Sequence, residues 1–483
     1  MSIPNMFSSV YRILLLLLVL AISCGDNNPE TEDHYFTPQN PFENYLNLAD
    51  DAYGYEKIQE IERDGFSVHL IRMVSQRWLE PGLVDETEWW HWLTIVIPDE
   101  LDTSKGLLWI GGGSRYDDPP QNINPMLIRA ALETNSITAD LHNIPFQPLS
   151  FSGDHMEERY EDELIAFGWR QFLEGGAKDD DATWLARLPM TKAVQRAMDT
   201  ISEYSSQNTN IQVEEFAVAG ASKRGWTAWT TAIFDDRVIG IIPVVIDLLN
   251  MKPSFEHHWR AYGEWSPAIK DYEDESIMTW HESAEYKRLR ELVDPYSYLN
   301  QFDLPKFIIN AASDEFFLPD SWKFYWDDLP GEKYLRYVPN TGHNIRDTDV
   351  PENIISFYHH LVTGQELPAF RWNTDNYTIT VETDPFNPPD ELKLWQAVNP
   401  EGRDFRLYVI EKTWESTRIS LSESGIYEFT ISEPEKGYRI GFVEATFNQK
   451  SFPLKLSTGT VVAPDMYPHP PFTPEISKGT LSE

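Results

Sequence analysis

Residues 213–225, VEEFAVAGASKRG, constrain this chain more than any other stretch. Phe216, Val218 and Ala219 make a short apolar strand, Gly220-Ala221-Ser222 interrupts it, and apolar residues resume at helical spacing from Trp226 to Phe234. A strand, a sharp turn and a helix in that order lift a serine hydroxyl above the edge of a sheet, where the helix N-terminus favours developing negative charge. Small residues must flank such a turn, because it brings backbone against backbone. The usual spacing is G-x-S-x-G, whereas here the second glycine, Gly225, comes one residue late. Taken alone, the motif is equally an ordinary strand-to-helix turn with a serine N-cap.

Two later strands tip the balance. Residues 304–310 (LPKFIIN) read as a buried parallel strand that delivers Ser313-Asp314-Glu315 at its C-terminal end. Residues 334–338 (YLRYV) are a second, delivering Pro339-Asn340-Thr341-Gly342-His343. Ser222, Asp314, His343 is the chain order of the α/β-hydrolase triad. A serine hydroxyl is a poor nucleophile until an imidazole takes its proton, and the imidazole needs a carboxylate to hold its tautomer. A rival acid is Asp247, which ends the apolar run 238–246.

The segments GASKRGWTAW, SDEFFLPDSWKFYWDDLPGEKYLRYVPNTGH, GLLWIGGGS and LWQAVNPEGRDFRL resemble the PhoPQ-activated pathogenicity-related protein family of bacterial secreted α/β hydrolases, over about residues 44–464. The resemblance implies an α/β-hydrolase core with a C-terminal β-rich domain, and it favours Asp314 over Asp247, which is left to cap the following turn. It supplies no substrate. Ser222-Lys223-Arg224-Gly225 is also similar to the elbow of glucuronoyl esterases, which has the same late glycine and, where Lys223 stands here, an arginine directly after the serine. A cation there could add charge to an oxyanion hole or meet a carboxylated substrate. Equally, Lys223 and Arg224 could pair with acids of this acidic protein.

Residues 106–110 (GLLWI) form another strand and run into Gly111-Gly112-Gly113-Ser114. In this architecture the loop after that strand donates one backbone N–H to the oxyanion hole, and the residue after the nucleophile donates the other. The expected hole is therefore Lys223 with Gly113 or Gly112. A phosphate cradle is excluded, since no Lys-Ser/Thr follows.

The 483 residues exceed one typical domain, and at 41% hydrophobic they can bury a large core. A net charge of −38 leaves no basic stripe for nucleic acid. Residues 13–22 form an apolar run too short to span a bilayer, preceded by Arg12, and read as a secretory signal. The run continues into Leu20-Ala21-Ile22-Ser23-Cys24, which resembles a bacterial lipobox. Cys24 is the chain's single cysteine, so no intrachain disulfide forms, and its expected role is lipidation. The expected location is extracytoplasmic, with the protein tethered to a membrane by that lipid alone.

The expected division is a signal peptide at 1–23, a linker at 24–43, an α/β-hydrolase domain at 44–367, a β-sandwich-like domain at 368–464 and a disordered Pro-rich tail at 465–483. Within the hydrolase domain, residues 189–204 should form the helix beneath the elbow, and about 248–298 a lid. The lid aromatics, among them Phe255, Trp259, Trp265, Tyr272 and Trp280, either stack against sugar rings or acyl groups or fill a small core of their own. Short strands are expected at 377–381, 392–397, 405–409, 425–431 and 438–445. His91, His359 and His360 read as structural, consecutive His257 and His258 complete no ligand spacing, and no metal or cofactor is assigned. The expected activity is serine hydrolysis of an ester or amide, in a small-molecule, glycan-ester or peptide substrate. The competing reading is a non-catalytic surface binding protein on the same scaffold.

Overall fold

The computed structural model describes residues 40–301, 303–449 and 452–481. The signal, the lipobox and Cys24 lie outside the described residues. Nine strands build the central sheet: β1 (Gly54–Arg63), β2 (Phe66–Arg77), β3 (Glu88–Pro98), β4 (Lys105–Ile110), β5 (Ile137–Leu141), β6 (Glu215–Ala221), β7 (Val238–Val244), β8 (Lys306–Ala311) and β9 (Lys333–Val338). Their order is β1-β2-β3-β5-β4-β6-β7-β8-β9. The first three strands are antiparallel, and from β5 to β9 neighbours run parallel.

This is the α/β-hydrolase sheet with one added antiparallel strand. The chain leaves β4 on one side to make β5 and returns on the other to make β6. The C-terminal ends of β4 and β6 therefore flank a topological switch point, where open α/β sheets leave a crevice for ligands.

Helices cover both faces, which is why the inner strands read as continuous apolar runs. Along β6 the faces alternate. Phe216 and Val218 join the core that includes α4 (Arg187–Asn208) and α5 (Lys223–Phe234), whereas Ala217 and Ala219 join the core that includes α2 (Pro125–Thr134) and α9 (Val350–Thr363). The helix expected at 189–204 is α4, extended at both ends, with Pro189 in its first turn where no backbone donor is lost.

Insertions gather above the sheet. Helix α3 (Glu161–Glu174) follows β5, and the lid consists of α6 (Met251–Tyr262), α7 (Lys270–Asp274) and α8 (Ala284–Val293). Phe255, Trp265, Tyr272 and Trp280 are all buried and belong to the same apolar core as α4 and α5. No described helix is long and apolar enough to cross a membrane.

The C-terminal region contributes a three-stranded sheet from β10 (Phe370–Asp375), β11 (Thr378–Thr383) and β14 (Ile426–Thr430). A second sheet comprises β12 (Glu391–Asn399), β13 (Glu415–Arg418), β15 (Tyr438–Gln449), β16 (Phe452–Ser457) and β17 (Val461–Ala463). Their buried residues, such as Val381, Tyr427, Val443 and Leu456, belong to the same apolar core as Ile354 and Phe357 of α9. Residues 40–483 accordingly form one compact unit. The contact also shields the free edge of the large sheet: Ser457 Oγ, at the end of β16, accepts from the Tyr337 N–H of β9 at 2.8 Å.

Two expectations fail here. Residues 405–409 are not a strand but lead into the short helix α10 (Leu407–Ile410), because Asp404 accepts from the Arg406 N–H and bends the chain. The segment from 465 to 481 is packed along the lid rather than disordered. Phe472 sits against Trp259 and Trp265, His469 N–H donates to Arg260 O, and Lys478 N–H donates to Thr279 O. Its polar, Pro-rich composition concealed Tyr467 and Phe472, the two rings that anchor it.

Candidate active site

Ser222 sits between β6 and α5 with φ 57° and ψ −127°, a conformation that costs a non-glycine residue on the order of 1–3 kcal/mol. The surroundings impose it. Ser222 N–H donates to Val244 O at 2.7 Å, and Ser222 O accepts from Trp226 N–H at 3.0 Å. The late glycine has a direct explanation: a Cβ on Gly225 would lie 2.8 Å from Gly220 O, and one on Gly220 would lie 2.7 Å from Arg224 O. Two glycines five apart let the turn close on itself.

Asp314 and His343 meet above the C-terminal ends of β8 and β9. His343 Nδ1 lies 2.9 Å and 3.0 Å from the two Asp314 carboxylate oxygens. Asp314 is buried, and its Oδ1 also accepts from Phe316 N–H at 2.7 Å. Glu315 Oε2 accepts from His343 N–H at 2.6 Å, and the Phe316 ring lies 4.2 Å from the imidazole. The C-terminal region grips both loops. Trp414 Nε1 donates to Ser313 Oγ at 2.9 Å, and Trp414 exchanges two backbone-to-side-chain hydrogen bonds with Asn340. Among the described residues no hydrogen bond joins Ser222 Oγ to His343.

Asp247 takes a different part. It does not cap a turn: its carboxylate accepts from Tyr325 OH at 2.6 Å and from Tyr337 OH. Burial pushes its pKa up to about 7 despite those two donors.

Of the three residues expected to donate to an oxyanion, Lys223 lines the cavity at Ser222. The N–H groups of Gly112, Gly113 and Lys223 make no hydrogen bond within the described residues. Gly112, however, owes its lack of a side chain to Arg224, since a Cβ there would lie 2.5 Å from the guanidinium. Arg224 itself donates to Ile144 O and Glu161, both at 2.6 Å. Lys223 Nζ lies 2.9 Å from Glu161 and 2.8 Å from Asp162. Burial acts to raise the Glu161 carboxyl, but Arg224 and Lys223 outweigh it and hold it down at about 2. Both elbow cations are thus neutralised by the first turn of α3, the pairing alternative of the sequence reading.

A cavity of about 30 Å³ opens on Ser222, lined by Trp226, Ile246, Leu248, Phe255, Tyr272 and Phe316 among others, with Asp162, Lys223 and Arg187 as its charged groups. Arg187, at the start of α4, escapes a sequence reading because nothing in RLPMTK announces a buried guanidinium. Elsewhere, Glu256, His281 and Glu282 of the lid region bring potential ligand atoms within 4.8 Å of one another, with Lys252 on Glu282. They do not line the Ser222 cavity. His257 and His258, by contrast, bond to Asp320 and to Ser266 N–H, and burial depresses both rings, to about 4 and about 3.

Comparison with known proteins places the chain. A sequence profile of the PhoPQ-activated pathogenicity-related protein family matches residues 42–406. Autocrine proliferation repressor protein A of Dictyostelium discoideum is 34% identical over 457 residues, covering 89% of this chain and 91% of that protein. Among solved structures, the acetyl xylan esterase from Paenibacillus sp. R4 has a TM-score of 0.45 at 14% identity, covering 66% of this chain and 91% of its own. Acetyl xylan esterase 1 from Thermoanaerobacterium sp. JW/SL YS485 has the same TM-score at 13% identity, covering 66% and 93%. With most of its length matched by the profile and by a relative at this identity, the chain belongs to the PhoPQ-activated pathogenicity-related protein family.

Proposed function

We propose that this protein is a serine hydrolase that cleaves an ester or amide. Ser222 Oγ attacks the carbonyl carbon as its proton passes to His343 Nε2. That proton then goes to the leaving group, and water releases the acyl group in a second round. Asp314 holds the imidazole through Nδ1, and the N–H groups of Lys223 and of Gly113 or Gly112 receive the oxyanion. The observation that carries the reading is the strained Ser222, held at a sheet switch point in a chain whose buried Asp314 and hydrogen-bonded His343 follow in triad order. A Ser–His hydrogen bond that forms only with substrate present is ordinary for a site beneath a lid. The protein works outside the cytoplasm, anchored through lipid on Cys24.

A second reading has one specific support. The Dictyostelium relative is named as a proliferation repressor, which suits a signalling or binding protein on a hydrolase scaffold. Intact-mass labelling with a fluorophosphonate separates the two. Stoichiometric labelling of wild type, lost in both Ser222→Ala and His343→Ala, is expected; folded wild type that stays unlabelled favours the binding protein.

A further inference from the structure

Arg187 is 2% exposed, and the guanidinium stacks on the Trp226 ring, 4.7 Å from its centroid. One nitrogen donates to Lys223 O at 2.7 Å, and Nε is buried without any acceptor. No carboxylate among the described residues pairs with it. The two acids in ion pairs with the elbow are already engaged, Glu161 by Lys223 and Arg224, Asp162 by Lys223 and the Tyr272 hydroxyl. Of the three cations gathered here, Arg187 is the one without an ion pair among the described residues. Burial lowers its pKa, and the nearby Tyr272 and Asp162 offset that only in part.

A buried charge is ordinarily paired, and one left over in the wall of a cavity invites an anion. The cavity adds a size limit. About 30 Å³ has room for roughly two water-sized groups, which excludes long acyl chains but admits a short one. Position gives the direction: Arg187 and Ser222 line the same cavity, so an acyl group seated in it meets the guanidinium.

Building on the hydrolase reading, we propose that Arg187 is the specificity-determining residue of the Ser222 cavity, selecting short acyl groups that carry a carboxylate. The guanidinium supplies the planar paired donors such a group needs, while the aromatic walls exclude water and strengthen the contact. Lys223 and Arg224, which the sequence offers first for this task, are occupied by α3.

The test compares methyl hydrogen malonate with methyl 3-methylbutanoate, which carries methyl groups in place of the carboxylate oxygens, following methanol release by NMR. Wild type should favour the malonate half-ester in kcat/KM by at least about 10-fold. Arg187→Met should lose that preference while still turning over the neutral ester, and Arg187→Lys should keep part of it. An unchanged ratio in Arg187→Met would overturn the proposal and leave Arg187 as a support for the elbow. A readout without turnover keeps the two readings apart: malonate should raise the Tm of wild type and not that of Arg187→Met. A labelled wild type with no malonate shift sinks this proposal alone, whereas a shift without fluorophosphonate labelling keeps the anion site and sinks the hydrolase.

Discussion

The ends of β7 and β8 carry buried aspartates a few residues past neighbouring parallel strands, yet their surroundings make them different acids. Asp314 accepts from a backbone N–H and lies against the His343 imidazole. Asp247 faces two tyrosine hydroxyls in a fully buried site and is raised to about 7. Residue type and chain position are shared; the number and kind of donors are not. Which acid can serve a histidine is therefore set by what packs over each strand end.

The largest expected effect separates them by activity. Asp314→Asn should lower kcat by roughly 10³–10⁴-fold with the fold retained, because the amide favours the wrong imidazole tautomer. Asp247→Asn should stay within about 10-fold. Steady-state kinetics on one ester checks both, and equal losses would erase the distinction drawn here.

Stability against pH sharpens the comparison. Between its unfolded value of about 3.9 and its folded value of about 7, Asp247 is protonated in the folded state and ionised in the unfolded chain. The folded state then binds more protons, so stability falls as pH rises through that window, by an amount on the order of a few kcal/mol, and stays reduced above it. Urea denaturation from pH 4 to pH 8 should show this slope, and Asp247→Asn should flatten it. A variant with the wild-type slope would show that Asp247 is not the group titrating.

Smaller effects test the supports. Trp414→Phe removes the indole donor to Ser313 Oγ and should cost about 1 kcal/mol of stability. It should also lower kcat several-fold with KM little changed, since only the acid loop loosens. A change in KM alone would place Trp414 elsewhere in the cycle. Tyr325→Phe, which leaves Asp247 with one donor, should cost a similar 1 kcal/mol with activity unaltered. Loss of activity there would tie Asp247 to the chemistry after all.

Much of this was legible in one dimension. The elbow, the strands that carry Asp314 and His343, and the glycine loop after β4 follow from apolar runs and turn residues spaced over about ten positions. The helical lid aromatics were legible as a group, but whether they faced a substrate or one another was not. At residues 405–409 the alternation suggested a strand, and a local Asp404 turn overrode it. At residues 465–481 composition pointed to disorder, and two aromatic rings with partners on the lid decided otherwise.

The sequence by itself determined the order of the elements and set Ser222, Asp314 and His343 each just past a strand, because hydrophobic periodicity and turn chemistry act between near neighbours. Only the tertiary structure decided which charges cancel. Lys223 finds Asp162 across 61 positions of chain and Arg187 pairs with no carboxylate among the described residues, an outcome that depends on how α3, α4 and the lid converge on the end of β6. Pairing and desolvation are properties of that meeting point, and no local pattern records them.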